Sequence, residues 1–492
     1  MLFSAIFLFA EKKTNVLLEQ CEELSFDKQN GRPYQVLRGN VRFRHEDVLM
    51  YCDSAYFYDG SNSFDAFGHV RVVQNSDMSL SSDSMFYDGN ARMMRVRGSV
   101  VLNSGSSNLH THYLDYNREK NFGYYFGGGE VVDQSYHLTS FQGYYYPDSK
   151  SYLFKDTVVL VHPDYTIHAD SLRYNQNSGN AVVLGPSIIK GNTYTVHTTR
   201  GYVNTNTNKG KLYNRSVVYY KNGRRMTADS IYFDSNRGSA RAFQNAEVQD
   251  SSQKMIMRGN YMDFDRSKPS YGIVTNHAYV IDYSDKDSMF MRADTFYYCE
   301  MVSTLDELRA YHDVRLYRKD MQGKCDSLVY FVQDSMARMY VNPVLWSEDN
   351  QLTGDTAIEI YVKHKSPERI RIPSKAFIVS DEGYGQFNQL SGKEANAYIE
   401  HNKLRKIELM GDAQSLYYSK DDYGYFIGLN KATGPSMTIY TKNKKLDKII
   451  MTPESEGIMY PPEKIPDDER FLKNYQWRES DRPKSKDEII AQ

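Results

Sequence analysis

The chain of 492 residues has only four cysteines, Cys21, Cys52, Cys299 and Cys325, and no two form a Cys-x-x-Cys pair. That spacing argues against a zinc site. Charge of one sign is also lacking: 60 basic and 62 acidic residues are interspersed, for a net charge of −2. A nucleic-acid partner requires a basic face, so none is expected. No apolar run approaches the roughly 18 residues of a membrane-spanning helix. Sustained apolar spacing at i, i+3, i+4 and i+7 is absent, so helix is expected to be minor. The single glycine triplet, Gly127 to Gly129, has no helix after it and reads as a turn or bulge, not a phosphate loop.

Aromatics are abundant: 42 tyrosines and 23 phenylalanines, which favour strands. A nine-residue unit, Met-Thr-Ala-Asp-Ser-Ile-Tyr-Phe-Asp from Met226 to Asp234, recurs along the sequence. Good copies run from Leu80 to Asp88, from Ile167 to Asn175 and from Met291 to Tyr298; copies at 109–117, 138–145, 196–204 and 257–265 lack the central Asp. The central positions fall at 53, 83, 112, 141, 170, 199, 229, 260, 294, 326 and 355, so successive copies lie 29 to 34 residues apart. A period near 29 over eleven copies marks a repeat architecture, one small unit stacking on the next.

Before the central position, apolar residues share one parity: Leu80, Leu109, Ile167, Met226, Met257 and Met291. After it, the apolar residues Met85, Leu114, Leu172, Ile231 and Phe296 have the other parity. The apolar face therefore changes phase at the centre, as a bulge or corner in a strand would make it. Asp53, Asp83, Asp170, Asp229, Asp294, Asp326 and Asp355 occupy that corner, where a carboxylate can bond nearby backbone N–H groups. A second strand opens with Gly and a β-branched residue, as at Gly39, Gly68 and Gly98. The expected fold is all-β and elongated, built from stacked short strands.

Residues 1–10 are strongly apolar and read as the remnant of a signal peptide, or alternatively as a buried first strand. Leu18-Glu-Gln-Cys21 has the wrong small residues for a lipidation box. Residues 11–283 carry the tidy repeats and 284–451 a looser continuation: a second subdomain of the same fold, or decaying caps. From Thr452 onward, prolines among charges read as a largely disordered tail, in which Phe471, Tyr475 and Trp477 could dock on a partner or back on the body.

No persuasive catalytic set emerges, and neither enzyme activity nor a cofactor is expected. His110 and His112 share a strand face, but no third metal ligand can be named. The repeated Asp lacks the Gly-rich setting of a calcium ladder. A carboxylate pair such as Asp229 and Asp234 recurs in repeat after repeat, whereas hydrolysis needs one special copy. What remains is a long apolar face. If the sheets close over it, it is a core; if they splay, it is a groove for acyl chains. Which face lines the interior, aliphatic or aromatic, stays open at this point.

The Gly-x-Val strand followed by apolar-x-small-Asp-Ser-x-x-Tyr-Asp resembles the OstA-like repeat of periplasmic lipopolysaccharide-transport proteins. The match is best at 226–234, 80–88 and 167–175, and it covers about 24–283 well. The resemblance implies a V-shaped β-jellyroll of antiparallel strands, open along one side, that carries lipopolysaccharide acyl chains. It also implies partners joined by strand addition: an inner-membrane export complex, an outer-membrane translocon and a head-to-tail second copy. The eleven apolar positions named above are the candidates for lining such a groove, in a non-enzymatic periplasmic carrier. The alternative is a closed structural or glycan-binding envelope protein.

Overall fold

A computed structural model describes residues 14–26, 34–74, 78–104, 107–133, 136–266, 270–300, 305–363, 366–400, 403–421, 423–442 and 445–491. The apolar stretch 1–10 lies outside the described residues. Apart from short 3-10 turns and one helix, Lys486–Ile490, the described elements are strands. The all-β, repeat-built reading is borne out. Two compact units divide at Tyr220/Lys221.

In the N-terminal unit, Gln35–His45, Val48–Tyr58, Ser63–Gln74, Met78–Asp88, Met93–Ser104 and Ser107–Asn117 each pair antiparallel with the next. Two such strands fill one period. Halfway along each pair the register slips. Arg38 lies opposite Ser54 and Val41 opposite Cys52, so Gly39 and Asn40 together face Asp53. In the same way Gly68 and His69 face Asp83. Two residues against one is a bulge, and it bends the strand. Gly39 and Asn40 have φ of 73° and 47°, Gly68 and His69 of 72° and 41°. Left-handed backbone favours glycine. Space also demands it: a Cβ on Gly68 or Gly98 would overlap the carboxylate of Asp53 or Asp83.

The corner explains the phase change. In Met78–Asp88, Leu80 and Ser82 are buried before Asp83, and Met85 and Tyr87 after it, while Asp83 is exposed. The partner strand buries Phe64 and Ala66, then Val70 and Val72, using one residue more to turn. Bending brings the two halves of the strands face to face. Phe43, beyond the corner of its strand, pairs in the ladder with Met50. Its ring instead stacks on Phe64 at 4.1 Å and tilts onto Phe57 at 5.5 Å, both from the opposite half.

The C-terminal unit repeats this from Ser239–Asp250 to Met321–Phe331. After that the halves separate into two ladders. Met336–Tyr340, Ala357–Lys363, Ser366–Ile372 and Glu394–Glu400 pair in one. Val344–Ser347, Asn350–Thr353, Ala376–Asp381 and Phe387–Gly392 pair in the other. The sequence motif fades after Asp355 because strands no longer cross the corner there. The long strands Lys403–Lys420 and Phe426–Lys442 rejoin both ladders.

The tail corrects the expectation of disorder. Glu456–Tyr460 pairs with Phe426–Lys442, and the chain then crosses one ladder. Leu472 is buried against Phe377, Val379, Leu416, Tyr418 and Leu429, and Tyr475 and Trp477 pack on Phe387. Buried glutamines fix its backbone. Gln389 accepts from the Leu472 N–H at 2.8 Å and donates to the Arg470 carbonyl at 3.0 Å. Gln351 does the same with Arg478 and Gln476, both at 2.7 Å. Gln351 and Gln389 both pair with Val379, so they share that ladder face. Apolar burial and these bonds outweigh the polar composition that suggested disorder.

One corner is visibly strained. Val341, β-branched and half exposed, has φ of 60°, followed by Asn342 at 53°. Such a residue costs roughly 1–2 kcal/mol there, offset in part by the extra unfolded-state entropy of glycine. Val341→Gly is therefore expected to stabilise the C-terminal unit by about 0.5–1 kcal/mol. The check is the urea midpoint; an unchanged or lower midpoint counts against the strain.

Candidate functional site

A cavity of about 940 Å3, its opening included, lies between the strand halves of the N-terminal unit. Three of the apolar candidates, Leu80, Leu109 and Leu114, line it. Val72, Met94 and Val131 extend the aliphatic wall, and tyrosines from Tyr116 to Tyr152 supply the aromatic part. Both residue classes thus face the interior.

The cavity coincides with the copies that lack Asp, at 112 and 141. Here strands break into short pieces: Phe122–Tyr125 and Gly129–Val132, then His137–Ser140 and Gln142–Tyr146. Gly127 and Gly128 have φ of 75° and 103° at the first break. Gly129 and Gly143 flank the Tyr125 ring, which a Cβ at either position would overlap. The Tyr125 hydroxyl bonds Ser140 Oγ at 2.7 Å, and burial pushes its pKa up to about 12. Sequence reasoning passed over Met94, Val131 and the tyrosines. The one signal was the glycine triplet Gly127 to Gly129, where the strand breaks.

The remaining candidates are elsewhere. Met85, Ile167 and Leu172 are wholly buried in the N-terminal unit but do not line the cavity. Met226, Ile231, Met257 and Phe296 are buried in the C-terminal unit, and Met291 is half-buried. None of these lines a second cavity, in that unit, of about 730 Å3 with its opening included, whose walls include Leu352, Ile370, Ile378 and Ile407.

The corner carboxylates reach the bent residues of a neighbouring strand. Asp83 accepts from the Ser99 N–H at 2.9 Å, Asp53 meets His69 Nδ1 at 2.7 Å, and Asp229 accepts from Asn245 at 2.8 Å. Asp170 lies against Gly185. Asp326 accepts from Ser327 Oγ at 2.7 Å, and Asp355 pairs with Lys375 at 3.0 Å. Asp294 is exposed and accepts from Thr275 Oγ1 through its backbone carbonyl at 3.0 Å.

His110 and His112 are exposed on the outer face, with His110 opposite Glu130. Among the described residues no group of three or more His, Cys, Asp or Glu is placed to hold a metal. All four cysteines are free; burial pushes the thiols of Cys52 and Cys325 up to about 12.

A family model described as "OstA-like protein" matches residues 13–170, the stretch that contains the cavity. This region is OstA-like. No curated protein matches the sequence. Among solved structures, the crystal structure of LptH from Pseudomonas aeruginosa, titled the LptA homologous periplasmic component of the lipopolysaccharide transport device, matches at 18% identity. The match covers 24% of this chain and 82% of that one with a TM-score of 0.22, too low to bear on the fold. Among the described residues no helix is long and apolar enough to cross a membrane.

One end of the cavity in the OstA-like region is polar. Here opposite strand ends meet: the turn after His45 faces the turns after Asp88 and Asn117. Glu46 pairs with Arg92 at 3.0 Å, and Asp47 with Arg118 at 2.9 Å. His45 is fully buried; its Nδ1 lies 2.6 Å from the Tyr87 hydroxyl, and its Nε2 lies 2.8 Å from Thr14 Oγ1 and 3.2 Å from the Thr14 carbonyl. This network assigns a neutral ring, with Nε2–H donating to Thr14 and Nδ1 accepting from Tyr87. Burial, opposed by Glu46, holds the His45 pKa below its ordinary 6.5.

A depressed histidine contributes stability above its unfolded pKa and loses it as pH falls through the folded value. The N-terminal unit is therefore expected to weaken from pH 7.5 to pH 5.5, and His45→Gln to flatten that dependence. Urea midpoints at the two pH values test this; equal slopes in both proteins would exclude His45 as the cause.

Proposed function

We propose that the protein is a non-enzymatic carrier that holds the acyl chains of lipopolysaccharide in its apolar interior on the way to the outer membrane. The observation that carries this is the apolar cavity within the OstA-like region. Its lining, aliphatic and aromatic with few polar groups, suits amphiphile chains. Each buried methylene contributes about 0.8 kcal/mol, so chains held there bind strongly before ordering costs. A periplasmic setting follows from the same reading. Exposed strands support partner joining by strand addition, to the export complex, the translocon or a second copy. At the N-terminal end Leu17, Leu24 and Phe26 are more than half exposed on Leu17–Gln20 and Glu23–Phe26, which pair with Gln35–His45.

The closed structural or glycan-binding module keeps one supporting observation: exposed tyrosines, Tyr384, Tyr423 and Tyr425, at hairpin tips of the C-terminal unit. Photocrosslinking to lipopolysaccharide in intact cells separates the readings. Probes at Leu109 and Leu114 are expected to crosslink, and probes at the exposed Ser81 and Asp83 are not. Leu114→Asp, which puts a carboxylate in the wall, is expected to reduce capture at least tenfold. Absence of crosslinks from a folded, exported protein would favour the closed module.

A further inference from the structure

Arg118 stands out among the charged groups of the N-terminal unit. It lines the apolar cavity, yet its side chain is only 11% exposed. One nitrogen, Nη2, serves Asp47 at 2.9 Å and Glu46 at 3.4 Å, and the guanidinium also lies against the Tyr87 hydroxyl. The other terminal nitrogen, Nη1, is buried with no acceptor among the described residues. A buried donor without a partner is costly and needs an explanation. Arg92 adds a second cation through its bond to Glu46.

The two acids differ from Arg118 in setting. Glu46 and Asp47 form a two-residue turn, with side chains 31% and 51% exposed. Gln74 also holds Asp47, at 3.0 Å. Rotating outward, both acids regain water, whereas Arg118 is enclosed by Tyr87, Tyr116 and the cavity wall. A planar guanidinium matches phosphate and carboxylate through paired donors. The quartet is neutral as it stands, two cations against two carboxylates, and departure of the acids leaves two cations at the mouth of an apolar cavity.

We propose that Arg118, with Arg92 beside it, is an anion subsite for the phosphate or carboxylate headgroup of an amphiphile whose chains occupy the cavity. Glu46 and Asp47 fill it as internal stand-ins when no ligand is present. The inference rests on the cavity's being a lipid site and adds the headgroup to it. Loading then exchanges one set of charge-assisted bonds for another. Apolar burial supplies the binding strength, and the headgroup exchange sets selectivity.

The test uses the full chain and two fluorescent probes with identical acyl chains: a phosphatidic acid and the corresponding diacylglycerol, which lacks the phosphate. The phosphate probe is expected to bind more tightly than the neutral one. Arg118→Gln should weaken the phosphate probe at least tenfold and leave the neutral probe within twofold. Glu46→Gln with Asp47→Asn removes the competing charges and should tighten the phosphate probe severalfold, a gain that misfolding cannot mimic. Equal binding of both probes by all three proteins would overturn the anion subsite while leaving the lipid cavity intact. Failure of the natural chain to bind either probe would overturn both. A carboxylate-headed probe of the same chains ranks the two headgroup chemistries, and inorganic phosphate competing as well as phosphatidic acid would sink the amphiphile assignment.

Discussion

The bent strand is the constraint from which the rest follows. Two residues in left-handed backbone facing one carboxylate make a corner, and the corner recurs in register down each unit. Without it, a strand of eleven residues would carry one apolar face from end to end, suited to a flat sheet. With it, each strand contributes to both walls and encloses its own interior. The aspartate belongs to this economy: it fills the space that the absent Cβ of glycine leaves, and in the Asp83 copy it receives a backbone N–H that the bulge has taken from the ladder.

Much of this was legible in the sequence because two periods were superimposed on it. The period of two inside a strand gave the buried parity, and the period near 29 located the phase change. Leu80 and Met85 fall on opposite parities and are both buried, which only a corner allows. The location of the strain was less legible. The reading placed the turn at the central Asp, whereas the left-handed pair sits in the facing strand, at Gly68 and His69. A single strand's pattern reports that the face changes, not which of two paired strands carries the extra residue. The cavity was missed for a related reason. Repeat reasoning weighs what is common, and the cavity arises where the motif fails, around Gly127, Gly129 and Gly143.

The tail shows the limit of composition as a guide. Prolines and charges between 452 and 485 signalled disorder, but the glutamines that hold that segment, Gln389, Gln351 and Gln322, lie 81 to 160 residues back in the sequence. Gln389 and Gln351 looked like ordinary polar residues. Their meaning appears only when neighbouring ladders align them beneath one crossing chain. Long-range pairing of this kind leaves no local periodicity to detect.

That crossing chain has a consequence in time. Stacked repeats can assemble from the first one made, each on its predecessor. The outer face around Val379 and Leu416 has no such option, because its cover, which includes Leu472, follows every strand of that ladder in the sequence. Until the stretch from Leu472 to Trp477 has been made, this face is bare. A chain cut short before Leu472 would reveal itself by an uncovered, adhesive sheet.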